Sequence, residues 1–182
     1  MTARSGSSLV AKIFAAHGFD TGPEKVFSHG YETYENAEVN KWIQNNKHRM
    51  AKSTGVPCRY VPGIEKFIKP NSVVKTEIEH AGLFEKLNPK VIAVKRNIHA
   101  ITRSMADKRG KPWEADGCVG GVRSRLRGMD KVVKDMNGAT VNTDELVAGD
   151  FSSIRDAFEH FGLEFDEDKA RACVEPDRWH QW

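Results

Sequence analysis

Two short apolar segments on either side of a helical stretch constrain the fold of this chain more than any other feature. Residues 72–76 and 90–95 have the length and the β-branched content of buried strands. Residues 79–87, between them, have the composition of a helix. Because the order strand, helix, strand normally forms a right-handed crossover between parallel strands, this region predicts an α/β fold.

The alternation of helices and strands continues along the rest of the chain. Residues 20–34 are predicted to form a loop near the mouth of a site, and residues 108–127 a basic segment. Residues 176–182 are expected to pack on the body or to cover the site. Without a repeat or a linker, residues 1–182 are predicted to form a single domain. A further strand is predicted at residues 139–142, and helices at residues 7–17, 36–52, 62–69, 98–107 and 151–161, with another that ends at Met136.

Composition and charge argue against several classes of protein. Of the 182 residues, 39% are hydrophobic and 29% are charged, as in ordinary globular proteins. A net charge of +3 argues against a nucleic-acid partner, and no segment approaches the roughly 20 apolar residues that span a membrane. Cys58, Cys118 and Cys173 show no metal-ligand spacing. We therefore expect neither a disulfide framework nor a bound metal, and a cytoplasmic location.

A loop of small residues, Arg4-Ser5-Gly6-Ser7-Ser8, stands directly before the first predicted helix. The positive end of a helix binds phosphate or sulfate well. Gly6 would let the backbone approach an anion, the serines would supply hydroxyl donors, and Arg4 would supply a permanent charge. The loop therefore predicts an anion site, although a simple helix cap explains the glycine and the serines equally well.

A second candidate for anion binding follows the strand predicted at residues 90–95. Arg96 stands at the carboxyl end of this strand, where α/β sheets bind ligands. Ser104 comes eight positions later, roughly 9 Å along a helix that begins near Ile98. Arg96 and Ser104 could therefore hold one phosphate, and the alternative is a surface ion pair for Arg96 and a solvated Ser104.

The strand predicted at residues 72–76 ends in Lys75, Thr76 and Glu77. A transfer reaction needs a group that accepts the proton of the acceptor and a cation that stabilises charge on the leaving oxygen. Glu77 and Lys75 suit these two roles. The alternative for Glu77 is a solvated residue at the start of the next helix.

These three segments together resemble the sulfotransferase family that uses 3′-phosphoadenosine 5′-phosphosulfate (PAPS). Residues 2–9 are similar to its 5′-phosphosulfate loop, residues 96–104 to its 3′-phosphate motif, and residues 73–77 to its catalytic strand end. The resemblance implies a three-layer P-loop fold, in which helices cover both faces of a parallel sheet. It implies transfer of a sulfuryl group to a hydroxyl or amine of a small molecule or a carbohydrate. The implied donor-binding residues are Arg4, Ser5, Gly6, Ser7, Ser8, Arg96 and Ser104, and the implied catalytic residues are Glu77, Lys75 and Arg4.

The chain also departs from the family pattern. Ile98 replaces the usual proline, and Glu77 stands where cytosolic members have histidine as the base, with His80 as the local substitute. A free glutamate is a weak base, so Glu77 would need burial to raise its pKa. Only three residues precede Arg4, so the first P-loop strand is nearly missing from the printed sequence. Either the true start lies upstream, or the fold tolerates a minimal edge, or the protein is a degenerate relative of reduced stability. Loss of that strand is expected to leave its neighbours unpaired and to favour pairing with another chain.

Three other functions compete with the sulfotransferase hypothesis. A P-loop kinase of small molecules is disfavoured because the sequence lacks the GxxxxGK loop followed by Ser or Thr. A cysteine phosphatase is disfavoured because Cys118 and Arg123 are one residue too close. A nucleotide-binding module without catalytic activity is favoured by the short first strand and by the absence of histidine at the base position.

Trp113, Trp179 and Trp182 are candidates for contact with the acceptor.

Overall fold

The computed structural model describes residues 6–22, 27–28, 31–32, 34–46, 60–109 and 116–175, which form a mixture of helices and strands. Its α-helices are α1 (Ser7–Ala16), α2 (Ala37–Asn46), α3 (Ile98–Arg109), α4 (Asp116–Asp135), α5 (Thr143–Val147), α6 (Ser152–His160) and α7 (Glu167–Cys173). Two 3₁₀ helices span Ile64–Phe67 and Ile78–Leu87. The strands are β1 (Phe27–Ser28), β2 (Tyr31–Glu32), β3 (Ile92–Lys95) and β4 (Ala139–Asn142).

The parallel pairing of β3 with β4 confirms the α/β prediction. The register joins Ile92 to Ala139 and Lys95 to Asn142, and the chain passes through α3 and α4 between the two strands. Strands β1 and β2 form a separate antiparallel pair. Each sheet within the described residues therefore has two strands, and a wider sheet of the P-loop type is not shown.

Both faces of β3 are buried against helices. Val94 packs in a cluster that includes residues of α1, β4 and α6, whereas the adjacent Ala93 packs with Met129 and Val132 of α4. Successive residues of a strand point to opposite faces, so these two clusters lie on opposite sides of β3. The small sheet thus forms the centre of the described core.

The basic segment predicted at residues 108–127 comprises, in its described parts, the end of α3 and the first part of the long helix α4. Val122, Met129 and Val132 are buried, at spacings of seven and three residues that place them on one helical face. Arg123 and Arg127 are exposed. The apolar period therefore determines the helix, and these two arginines lie on its solvated side.

The prediction of a strand at residues 72–76 is wrong. Ser72 forms an isolated parallel bridge with Asp20, and residues 73–77 belong to no described strand. A strand requires a partner for its backbone hydrogen bonds. Next to this segment lies a cavity of about 470 Å³, lined by apolar side chains that include Val73 and Val74 and, from β3, Ile92 and Val94. Within the described residues, β3 therefore pairs with β4 alone.

Some of the other predicted helices and strands are confirmed, and others differ in type. Strand β4 and helices α1, α3 and α6 confirm the predictions within about two residues at each end. The helix predicted at residues 62–69 is a short 3₁₀ helix, and that predicted at residues 79–87 is the longer 3₁₀ helix. Residues 176–182, Trp113 and Cys58 lie outside the described residues. No helix in the described ranges is long and apolar enough to cross a membrane.

Candidate functional site

The amino end of α1 lies at the carboxyl ends of the two parallel strands. Gly6 caps α1 with a φ of +84°. A Cβ at this position would lie 2.6 Å from Cγ2 of Thr143, the residue that follows β4. The hydroxyl of Thr143 donates a hydrogen bond of 3.0 Å to the carbonyl of Lys95 at the end of β3. The predicted phosphate loop therefore meets the sheet edge at which α/β proteins bind ligands.

This packing also explains Gly6 without a ligand. The left-handed backbone and the contact with Thr143 would exclude a side chain even if no anion bound there. Arg4 and Ser5, the other predicted members of the loop, lie outside the described residues. Ser7 and Ser8 begin the first turn of α1, in which the N–H of Leu9 donates a hydrogen bond of 2.9 Å to the carbonyl of Gly6. The N–H groups of Ser7 and Ser8 precede this first bond of the helix.

Lys75 reaches the first turn of α1 from a distant part of the chain. Its Nζ donates a hydrogen bond of 2.9 Å to Oγ of Ser8, across 67 positions of sequence. Nζ also lies 2.8 Å from Oε1 of Glu35, and the lysine side chain is only 10% exposed. The structure thus brings together Lys75 and Ser8, which the sequence analysis assigned to catalysis and to donor binding.

Burial changes the ionisation of Lys75. Desolvation lowers the pKa of Lys75 from its usual value, and the hydrogen bond and charge of Glu35 act against this change. A carboxylate or another anion beside Nζ therefore favours the charged ammonium form, which burial disfavours. This ammonium has little access to water and interacts more strongly with an adjacent anion than a solvated lysine would.

Glu35 is a site residue that sequence reasoning missed. Its second carboxylate oxygen accepts a hydrogen bond of 3.0 Å from the amide of Asn40 in α2. Glu35 stands in an irregular segment before α2, without any motif or period that would indicate a contact with Lys75. Only the tertiary structure reveals this contact.

Arg96 also contacts a carboxylate. Its side chain is only 7% exposed, and Nε lies 3.5 Å from Oδ1 of Asp144. The other oxygen of Asp144 accepts a hydrogen bond of 2.5 Å from the backbone N–H of Asn97. Sequence analysis did not identify Asp144, although its position shortly after a predicted strand places it at the carboxyl edge of the sheet. Asp144 closely follows β4, and the carboxyl ends of parallel neighbours meet at one edge.

The side chain of Asn97 caps the start of α3. Its side-chain oxygen accepts hydrogen bonds from the backbone N–H groups of His99, at 2.9 Å, and Ala100, at 3.3 Å. Such a cap orders the first turn of a helix. Ser104 is 2% exposed on α3, close to the fully buried Ile101 in sequence. Its role in phosphate binding stays a prediction.

The two candidates for the catalytic base have different surroundings. Glu77 is exposed and precedes the longer 3₁₀ helix. Nδ1 of His80 lies 3.0 Å from the hydroxyl of Thr76. Burial lowers the pKa of His80, although the negative charges of Glu77 and Glu79 oppose this change. His80 is therefore held toward its neutral form, which is the form that accepts a proton.

A polar cavity of about 530 Å³ lies where β3 and β4 end. Lys95, Arg96, Asn97, Asn142 and Asp144 are among the residues that line it. Its walls combine two cations and several backbone and amide donors, which are groups that bind phosphate, with the two carboxylates of Asp144 and Glu145. Within the described part of the chain, no cluster of His, Cys, Asp and Glu side chains could hold a metal ion.

Comparison with known proteins identifies no relative of this chain. Models of protein families, curated proteins and solved structures were all compared with the chain, and none of them matches it.

Proposed function

We propose that this chain is a sulfotransferase, which moves a sulfuryl group from PAPS to a hydroxyl or amine of a small molecule or a carbohydrate. The observation that carries the proposal is the 2.9 Å hydrogen bond between Lys75 and Ser8. Two segments that resemble separate parts of one donor site lie far apart in sequence and meet in space. The three-layer P-loop fold is part of the same proposal.

The donor's 5′ end would bind at the start of α1. The backbone N–H groups and the hydroxyls of Ser7 and Ser8 would supply donors there, with Arg4 and Ser5 as further candidates. Lys75, already within hydrogen-bond distance of Ser8, would stabilise negative charge on the leaving oxygen. PAPS itself supplies the activated sulfuryl group.

The donor's 3′-phosphate would bind at the carboxyl end of β3. Arg96 lies 3.5 Å from a carboxylate that also accepts a hydrogen bond from the N–H of Asn97, so a cation and a backbone donor adjoin one anionic group there. The adjacent cavity offers Lys95 as a second cation, and of its two carboxylates, Asp144 and Glu145, Asp144 would have to move away from a phosphate bound to Arg96. Ser104 would contribute only if its buried hydroxyl became accessible.

The acceptor would lose its proton to Glu77 or His80. Burial lowers the pKa of His80 and so favours its neutral form, which is the form that can accept a proton, whereas Glu77 is exposed at the start of the 3₁₀ helix. Single-turnover transfer of labelled sulfate, measured for Glu77→Gln and His80→Gln, would identify the base. The variant that lacks the base should lose transfer of the sulfuryl group but should still bind the donor.

Thermal unfolding with and without 3′-phosphoadenosine 5′-phosphate tests the donor site. At a ligand concentration one hundred times its Kd, linkage predicts a gain of about 2.7 kcal/mol, or roughly 5 to 10 °C in Tm. Arg96→Ala and Lys75→Met should each reduce this gain. Arg103→Ala, at an exposed position of α3, should retain it and serves as the matched control.

Two outcomes of this experiment contradict the proposal. Stabilisation by ATP with Mg²⁺ in place of the adenosine bisphosphate would favour a P-loop kinase. Folded protein without any shift would rule out the donor site. Binding without transfer to any acceptor would support a nucleotide-binding module, which is also favoured by the exposure of Glu77.

A further inference from the structure

Both buried cations of the proposed donor site hold a carboxylate of the protein itself. Lys75 lies 2.8 Å from Glu35, and Arg96 lies 3.5 Å from Asp144. The two pairs involve different segments of the chain, and they share one arrangement. In each pair a buried cation faces a more exposed acid, since Glu35 is 32% exposed and Asp144 is 44% exposed.

Asp144 lies beside both groups that would recognise a phosphate, as an ion pair with Arg96 and as the hydrogen-bond acceptor of Asn97. Its two oxygens contact the guanidinium of Arg96 and the backbone N–H of Asn97, which precedes α3. A guanidinium beside a backbone N–H at the start of a helix is a common phosphate-binding pair. A phosphate at this place therefore competes directly with the carboxylate of Asp144.

The exposed acids can move away more easily than the buried cations. A carboxylate that leaves Arg96 for solvent recovers its hydration, whereas Arg96 is too deeply buried to do so. Binding of an outside anion thus exchanges one ion pair for another. A singly charged anion gains little by this exchange, and a doubly charged phosphate gains more, because its attraction to the same cation is larger.

We propose that Asp144 and Glu35 are specificity-determining residues that a ligand must displace, Asp144 by a 3′-phosphate and Glu35 by the anionic group at the 5′ end. This inference rests on the proposed function, because it assumes that Arg96 and Lys75 bind the donor. According to this inference, the two acids weaken the binding of ligands with a low negative charge more than the binding of a doubly charged phosphate. Neutralising either acid therefore strengthens binding of the phosphate that competes with it.

Calorimetric titration with two nucleotides separates the two acids. The probes are 3′-phosphoadenosine 5′-phosphate and adenosine 5′-phosphate, which lacks the 3′-phosphate. Asp144→Asn should tighten binding of the first probe by about tenfold and leave the second unchanged. Glu35→Gln should tighten binding of both probes. Asparagine at position 144 still offers an oxygen to the N–H of Asn97, so the local turn is retained.

Glu145→Gln is the matched control. Glu145 lines the same cavity, but it accepts a hydrogen bond from Asn142 and is not paired with Arg96. An equal gain in this variant would indicate a general effect of charge and would overturn the inference. Wild-type binding that neither Asp144→Asn nor Glu35→Gln strengthens would overturn the inference and leave the proposed function intact. Failure of the wild type and all variants to bind would overturn both.

Discussion

Thr143 packs against Gly6 so closely that a Cβ at residue 6 would lie 2.6 Å from its Cγ2 atom. Thr143 is fully buried and also bonds to the carbonyl of Lys95. The contact therefore joins the start of α1 to the ends of both parallel strands. The position of the first turn of α1 relative to the strand ends depends on this junction.

Gly6→Ala should lower the free energy of unfolding by about 3 kcal/mol, because it combines a left-handed backbone with a steric clash. Gly18→Ala is the matched control. Gly18 also has a positive φ, of +89°, but nothing lies within 4 Å of a Cβ placed there. This control should lose only about 1 kcal/mol. Urea unfolding measures both, and equal losses would show that the Thr143 contact does not matter.

Ser8→Ala and Lys75→Met should show a coupling energy of about 1.5 kcal/mol in a double-mutant cycle, because they share a hydrogen bond from a charged, mostly buried donor. Urea unfolding of the four proteins gives this energy. Ser7→Ala supplies the control cycle, since the Ser7 hydroxyl forms no hydrogen bond within the described residues. Additive effects of Ser8→Ala and Lys75→Met would contradict the contact.

Asn97→Ala should cost about 1 kcal/mol of stability, because it removes the acceptor for the first N–H groups of α3. Asn97→Ser should restore most of this loss, since serine is also a good cap. Thermal unfolding of the three proteins provides the comparison. If the alanine and serine variants are equally stable, the Asn97 side chain does not act as the cap of α3.

The stability of the protein should fall as the pH decreases below about 6.5, the ordinary pKa of histidine. Burial lowers the pKa of His80 in the folded protein, so the unfolded chain binds this proton more readily. The contribution of His80 is therefore complete above pH 6.5 and is lost progressively below it. For one proton the slope cannot exceed about 1.4 kcal/mol per pH unit.

His80→Gln should flatten this pH dependence between pH 5 and 8. Urea unfolding at several pH values measures the slope for the wild type and for the variant. Glutamine does not titrate, so any slope that remains belongs to other groups. Identical slopes in the two proteins would show that His80 is not a source of the pH dependence.

The local pattern of the sequence predicts those elements whose stability comes from a buried face. Helices α1 and α6 and strands β3 and β4 fall close to the predicted positions, since apolar residues recur there at the period of a helix or form a short apolar run. The residues at 72–76 show that such a run is not sufficient. They have the composition of a strand, but a strand also needs a neighbour for its backbone groups.

The sequence by itself predicted the α/β character of the described core and supplied the hydroxyl of Ser8 and the positive charges of Lys75 and Arg96, because charge and hydroxyl chemistry belong to the residue type. Only the tertiary structure decided which charges meet. Glu35 contacts Lys75 and Asp144 contacts Arg96 across 40 and 48 positions, as the residue numbers give by subtraction. No local period encodes such contacts, since they arise when separately formed elements pack around one core.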